Sequence, residues 1–158
     1  MKKRMLRILA VLSALVALCS LTVFISNSVL AKEQMERLLG CALPDGSLLV
    51  DSASFAGKQS GNGNGMQWFG AILIETTQRP GEDALYQWFS NQIHPDEGNE
   101  RIDIFLQDSP DFYGHRKSRF SSGADGGFYY QIRLCKSSAS GFEASFLEKL
   151  LNFDPRAH

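Results

Sequence analysis

Residues 8–31 form an uncharged run of 24 positions, entered from a basic cluster of Lys2, Lys3, Arg4 and Arg7. Its heart, residues 8–25, is almost wholly apolar. No soluble core helix suits such a segment, because nothing polar lines one side of it. Two readings fit. One is a membrane anchor, which needs roughly 20 apolar residues to cross about 30 Å of hydrocarbon. The other is a signal peptide, with Ser26, Asn27 and Ser28 as a polar end region and a cut after Ala31. Either way positive charge keeps the N-terminus in the cytoplasm. Residues 32–158 then lie outside it, either membrane-anchored or secreted after cleavage near Ala31. Cys19 follows a bulky leucine, and the apolar run continues past it, which is unlike a lipid-modified cysteine.

The remaining 127 residues suit one exported domain. The leader holds 4 of the 16 basic residues, which leaves 12 against 17 acidic ones, a net charge of −5. That balance argues against nucleic acid, which calls for a basic face. Cys41 and Cys135 are the two remaining cysteines, and an oxidising compartment makes them a disulfide candidate.

Hydrophobic periodicity lays out the rest. Residues 32–39 read as a short helix continuing the anchor, ended by Gly40 as a permissive cap. Pro44, Asp45 and Gly46 signal a turn. Residues 47–55 and 66–77 read as strands, the second apolar on both faces and therefore central. Residues 80–93 read as a helix with Pro80 in its first turn and a stripe of Leu85, Trp88, Phe89 and Ile93. Residues 101–107 alternate Ile102, Ile104 and Leu106 against Asp103, Phe105 and Gln107, a half-buried strand. Residues 128–135 form a fourth strand, with Phe128, Tyr130, Ile132 and Leu134 on one side. Residues 141–153 read as a closing helix, with Ser140 and Glu143 in capping-box spacing. A gapless offset of 61 lays residues 67–89 over 128–150, pairing Phe69 with Tyr130 and Leu73 with Leu134. The expected fold is α+β: a four-stranded, largely antiparallel sheet from two β-β-α units, with the helices on one face.

Signals for chemistry are sparse. The stretch Gly57-Lys58-Gln59-Ser60-Gly61-Asn62-Gly63-Asn64-Gly65 fails both phosphate-cradle patterns in residue type and in context, since a strand follows it. Its Asn-Gly pairs fit a hairpin turn instead. His94, His115 and His158 match no metal-ligand spacing, and no cofactor is expected. No nucleophile elbow occurs. An enzyme reading rests on Cys135 or a serine with His115, a weaker case than a non-catalytic one. The best binding candidate is the long polar stretch 108–127. There Phe112, Tyr113, His115, Arg116, Lys117 and Arg119 form a basic, aromatic patch on an otherwise acidic domain. Its expected partner is an envelope protein or an anionic surface, while residues 8–25 meet the membrane. A third reading, a structural module pairing through its open sheet face, requires a contiguous exposed apolar patch on that face.

Overall fold

The structure is a computed structural model, and it describes residues 2–58, 66–107, 111–112, 116–117 and 127–138. The closing helix expected over 141–153 lies outside the described residues. Helix α1 (Lys2–Leu39) is one unbroken α-helix of 38 residues. It leads to strands β1 (Ser47–Lys58) and β2 (Met66–Thr76), helix α2 (Glu82–Ile93), strand β3 (Glu100–Gln107), the short strands β4 (Asp111–Phe112) and β5 (Arg116–Lys117), and strand β6 (Phe128–Ser138). Four strands form one antiparallel sheet in the order β1-β2-β6-β3, and β4 pairs with β5 in a separate two-stranded sheet. The α+β class and the four antiparallel strands are as expected.

β2 is central between β1 and β6, and all of its residues are buried. Its even-numbered residues face the helices. Ile72 and Ile74 pack there with Leu38 of α1, Leu85 and Phe89 of α2, and the aligned Ile102, Tyr130, Ile132 and Leu134. The C-terminal part of α1 and all of α2 therefore share one face of the sheet. The other face carries Phe69, Ala71, Leu73 and Cys135 with Ala53, Phe55 and Tyr129. These residues are also buried. The exposed apolar patch required for pairing through an open face is thus absent among the described residues.

Local details differ from the sequence reading. Pairing of β1 with β2 runs three residues beyond the expected end of the first strand, to Lys58 opposite Met66, and the turn expected in the glycine-rich stretch lies in residues 59–65, outside the described residues. A register shift between Leu49 and Asp51 leaves Val50 as an extra residue. Gly46 takes φ +75°, and Ser47 N–H donates to the Pro44 carbonyl at 3.0 Å, as in a type II turn. Gly40, in contrast, has no positive φ. α1 closes instead by a tightened last turn, with Cys41 N–H donating to the Leu38 carbonyl at 3.1 Å. α2 begins two residues after Pro80, because its first intrahelical bond runs from Leu85 N–H to the Gly81 carbonyl at 3.1 Å. Trp88 is not a core residue. It is 40% exposed, and its indole donates to the Ala42 carbonyl at 2.7 Å. The offset of 61 is odd, so it superposes Phe69 on Tyr130, which face opposite sides of the sheet.

Candidate functional site: the seat of the long helix

α1 carries two surfaces in succession. From Met5 to Leu21 its large apolar side chains are exposed, Val23 and Phe24 are half-buried, and an 18-residue window within the helix has no burial inside the chain. It is long and apolar enough to cross a membrane. From Asn27 onward the same helix is seated on the sheet. The contact residues Asn27, Ala31, Gln34 and Leu38 are spaced four, three and four apart, and all four are buried. That spacing keeps one side of a helix turned toward a single neighbour.

Three features fix the seat. Gly70 of β2 lies directly under α1. A Cβ at this position would come within 2.5 Å of the Met35 Cα and closer still to the Met35 nitrogen and the Gln34 carbonyl carbon. Only glycine permits this approach of strand to helix. Beside it, the Trp68 indole donates to Asn27 Oδ1 at 3.0 Å, a buried pair. Ala31 packs with Ala56, Met66 and Trp68. At the far end Arg37 works as a clasp: Nη1 donates to Glu100 Oε1 at 2.7 Å and to Gln34 Oε1 at 3.1 Å, and Nη2 to the Ile93 carbonyl at 3.4 Å. One guanidinium thereby joins α1, α2 and β3. Lys136 Nζ adds a second cation 3.7 Å from Glu100 Oε1.

The Glu100 side chain is only 5% exposed. Burial opposes its ionisation, but hydrogen bonds from Arg37 and the Asp96 N–H, with the charges of Arg37 and Lys136, outweigh it and hold its pKa below the usual carboxylate value. Asp96, on the adjoining turn, is also held low, first by its hydrogen bond from the Asn99 amide and then by the Gly98 N–H.

The other candidate residues separate. Cys41 packs at the edge of the helix-facing cluster, whereas Cys135 lies in the cluster on the opposite face. The sheet stands between them, and both are free thiols, so the expected disulfide is not formed. Burial pushes both thiols up, against lowering by Arg37 at Cys41 and by Arg101 at Cys135. A reactive thiol needs the reverse. Of the patch between β3 and β6, Phe112, Arg116 and Lys117 lie on the β4–β5 pair, with Phe112 opposite Arg116 and Asp111 opposite Lys117. Tyr113, His115 and Arg119 lie outside the described residues. His94 is the left-handed cap of α2, at φ 49°, with its N–H donating to the Ser90 carbonyl. Among the described residues no group of three or more His, Cys, Asp or Glu could hold a metal ion.

Sequence reasoning missed Asn27, Arg37, Trp68, Gly70 and Glu100 as a set. A lone glycine inside a strongly apolar strand was the available signal, since such a residue marks a close backbone approach. Compared with protein-family models, curated proteins and solved structures, the chain matches none.

Proposed function

We propose that this protein is a membrane-anchored module with an extracytoplasmic domain and a non-catalytic binding or accessory role at the cell envelope, and that α1 is its retained anchor. The seating of Asn27 and Ala31 carries this reading. Both lie on the N-terminal side of a cut after Ala31, and both belong to the folded core: Asn27 accepts the Trp68 indole, and Ala31 is 1% exposed. Cleavage there would remove the acceptor of the Trp68 indole and expose the apolar surfaces of Trp68 and Met66 to water, at a cost of up to about 1.5–3 kcal/mol for each side chain uncovered. An anchor that is also a core element has a reason to stay. The basic cluster before Ile8 supports a cytoplasmic N-terminus, with the sheet on the opposite side of the membrane.

Binding is assigned to the segment around Phe112, Tyr113, His115, Arg116, Lys117 and Arg119. It departs from Gln107 and returns at Phe128, and Phe128 pairs with Thr76. α1 enters the sheet beside Trp68, near the other end of β2. β2 is 11 residues long, so the two ends stand about 33 Å apart. A bilayer partner for this segment fits poorly with that separation, and an acidic surface on another envelope protein fits well. The mass of the mature protein from its native host tests the anchor: residues 1–31 are expected to remain, and their loss would overturn the reading. A pull-down with Arg116, Lys117 and Arg119 all changed to Glu tests the binding segment, and unchanged partners would remove it.

A further inference from the structure

We propose that the α1-entry end of the sheet, where β1 ends and β2 begins, is embedded in the lipid headgroup layer, so that the domain stands end-on against the bilayer with no spacer. The inference rests on α1 being a retained anchor. Its argument is the register of α1 on β2. Asn27 meets Trp68, Ala31 meets Met66 and Trp68, Gln34 and Met35 lie over Gly70, and Leu38 meets Ile72 and Ile74. Helix and strand therefore run in the same direction, and the start of β2 points toward the apolar stretch of α1.

The apolar stretch leaves no room for a gap. Residues 8–25 rise about 27 Å along the helix, slightly less than the roughly 30 Å of hydrocarbon they must cross. All of them are then needed inside the bilayer. Exposed apolar surface even continues to Val29, which is 59% exposed beyond the point where the sheet has begun. The first charge after Arg7 is Lys32, exposed and paired with Glu36 at 3.2 Å. The edge of the hydrocarbon thus falls between Ile25 and Lys32. Asn27 lies about 3 Å past Ile25 and Ala31 about 9 Å past it, while the polar interface is about 5–8 Å deep on each side. The Asn27–Trp68 pair therefore falls where the hydrocarbon meets that layer, at the membrane–water boundary where tryptophan is enriched in membrane proteins. Lys58 and Met66 bound the hairpin connection at the same end. The partner of this surface is therefore the zwitterionic or anionic headgroup itself.

The chain's two tryptophans make the test. Trp88 bonds to the Ala42 carbonyl, past the far end of α1. Leu39 lies about 18 Å further along the helix axis than Asn27. The full chain is placed in phosphatidylcholine vesicles with or without bromine atoms near the top of the acyl chains. Flotation is read first, then emission from Trp88→Phe, which reports Trp68, and Trp68→Phe, which reports Trp88. Trp68 is expected to lose most of its emission in brominated lipid and Trp88 none. Should Trp68→Phe fail to fold, wild-type chain carrying fluorotryptophan, read by fluorine NMR with a lipid-borne nitroxide, gives the same comparison. A chain that floats but shows equal quenching at both sites, or none at either, overturns the end-on seating alone. A chain that does not float overturns the anchor, and the seating with it.

Discussion

Replacing Gly70 by alanine is the sharpest perturbation of the α1 seat. The added methyl group would meet Met35 Cα at 2.5 Å, and the Met35 nitrogen and Gln34 carbonyl carbon more closely. All three obstructing atoms are backbone, so no rotamer change relieves the clash. The Met35 nitrogen is the nearest of them, and restoring ordinary contact near 3.4 Å there requires α1 to back away from β2 by about 1.3 Å. Such overpacking costs about 1–3 kcal/mol. The same displacement stretches the Trp68–Asn27 hydrogen bond from 3.0 Å to about 4 Å, beyond hydrogen-bond range. Leaving that buried pair unmade adds about 1–3 kcal/mol. The expected loss is therefore about 2–6 kcal/mol, a large share of the roughly 5–15 kcal/mol that holds a domain folded. Urea unfolding of the full chain in detergent micelles, followed by tryptophan emission, would show a midpoint lowered by about 1–2 M. Gly81→Ala is the control, since its Cβ would meet nothing within 4 Å and its φ of −66° suits any residue. Gly81 is the N-cap of α2, where alanine is less favourable than glycine, but alanine also restricts the unfolded chain by about 0.4–1 kcal/mol, so the net change is expected to stay within about 0.5 kcal/mol. If Gly70→Ala unfolds within about 0.5 kcal/mol of wild type, helix and strand do not meet as described and the reasoning fails.

Two further outcomes follow from the charges and thiols. Because the Glu100 pKa is depressed on folding, its contribution is complete above the ordinary carboxylate value near 4.3 and disappears as pH falls through the lower folded value. Wild type should therefore lose urea resistance as pH falls below the ordinary carboxylate value, and Glu100→Gln should flatten that slope while costing about 1.5–3 kcal/mol at neutral pH; equal slopes would remove Glu100 from the clasp. For the cysteines, non-reducing and reducing gels should match. A maleimide should label Cys135 only after denaturation, and a mass two hydrogens lighter than the free-thiol form would contradict the opposed faces.

Elements were more legible than their assembly. Alternation of Ile102, Ile104 and Leu106, and of Tyr130, Ile132 and Leu134, reports which side of a strand is buried, and these residues meet in one cluster. Alternation says nothing about which strand lies beside which, so the order β1-β2-β6-β3 had to come from the structure. The cysteine pair shows the same limit. Strand parity puts Cys135 on the side away from Leu134, but the side taken by Cys41 depends on where the end of α1 docks. The seat itself was hidden because two of its four α1 residues, Asn27 and Gln34, are polar, and Asn27 fits the polar end region of a signal peptide. Tertiary context reversed that: the indole of Trp68 satisfies Asn27, and Arg37 satisfies the Gln34 carbonyl. Within the patch between β3 and β6, β4 and β5 make a short paired element, which breaks up what otherwise reads as a single polar loop.

The continuity of α1 decides how the domain can behave. A tethered domain on a flexible linker reorients freely, because each linker residue adds conformational entropy and none fixes direction. Here the membrane-compatible helix enters the fold without a break and is held near both ends of its seat, by Asn27 with Trp68 at one and by the Arg37 clasp at the other. Two separated fixings on one rigid rod restrain rotation as well as position. Gly70 brings the rod close enough for both to form at once. The direction of α1 then sets the direction of β2, and through β6 it sets the departure points of the segment after Gln107. Weakening only the Arg37 clasp leaves the Gly70 contact and the Asn27 pair intact, so it should free the far end of the seat before the near one. If α1 is retained as the proposed anchor, the points where the chain leaves Gln107 and returns at Phe128 stand at a fixed distance from the membrane rather than searching a volume around a tether.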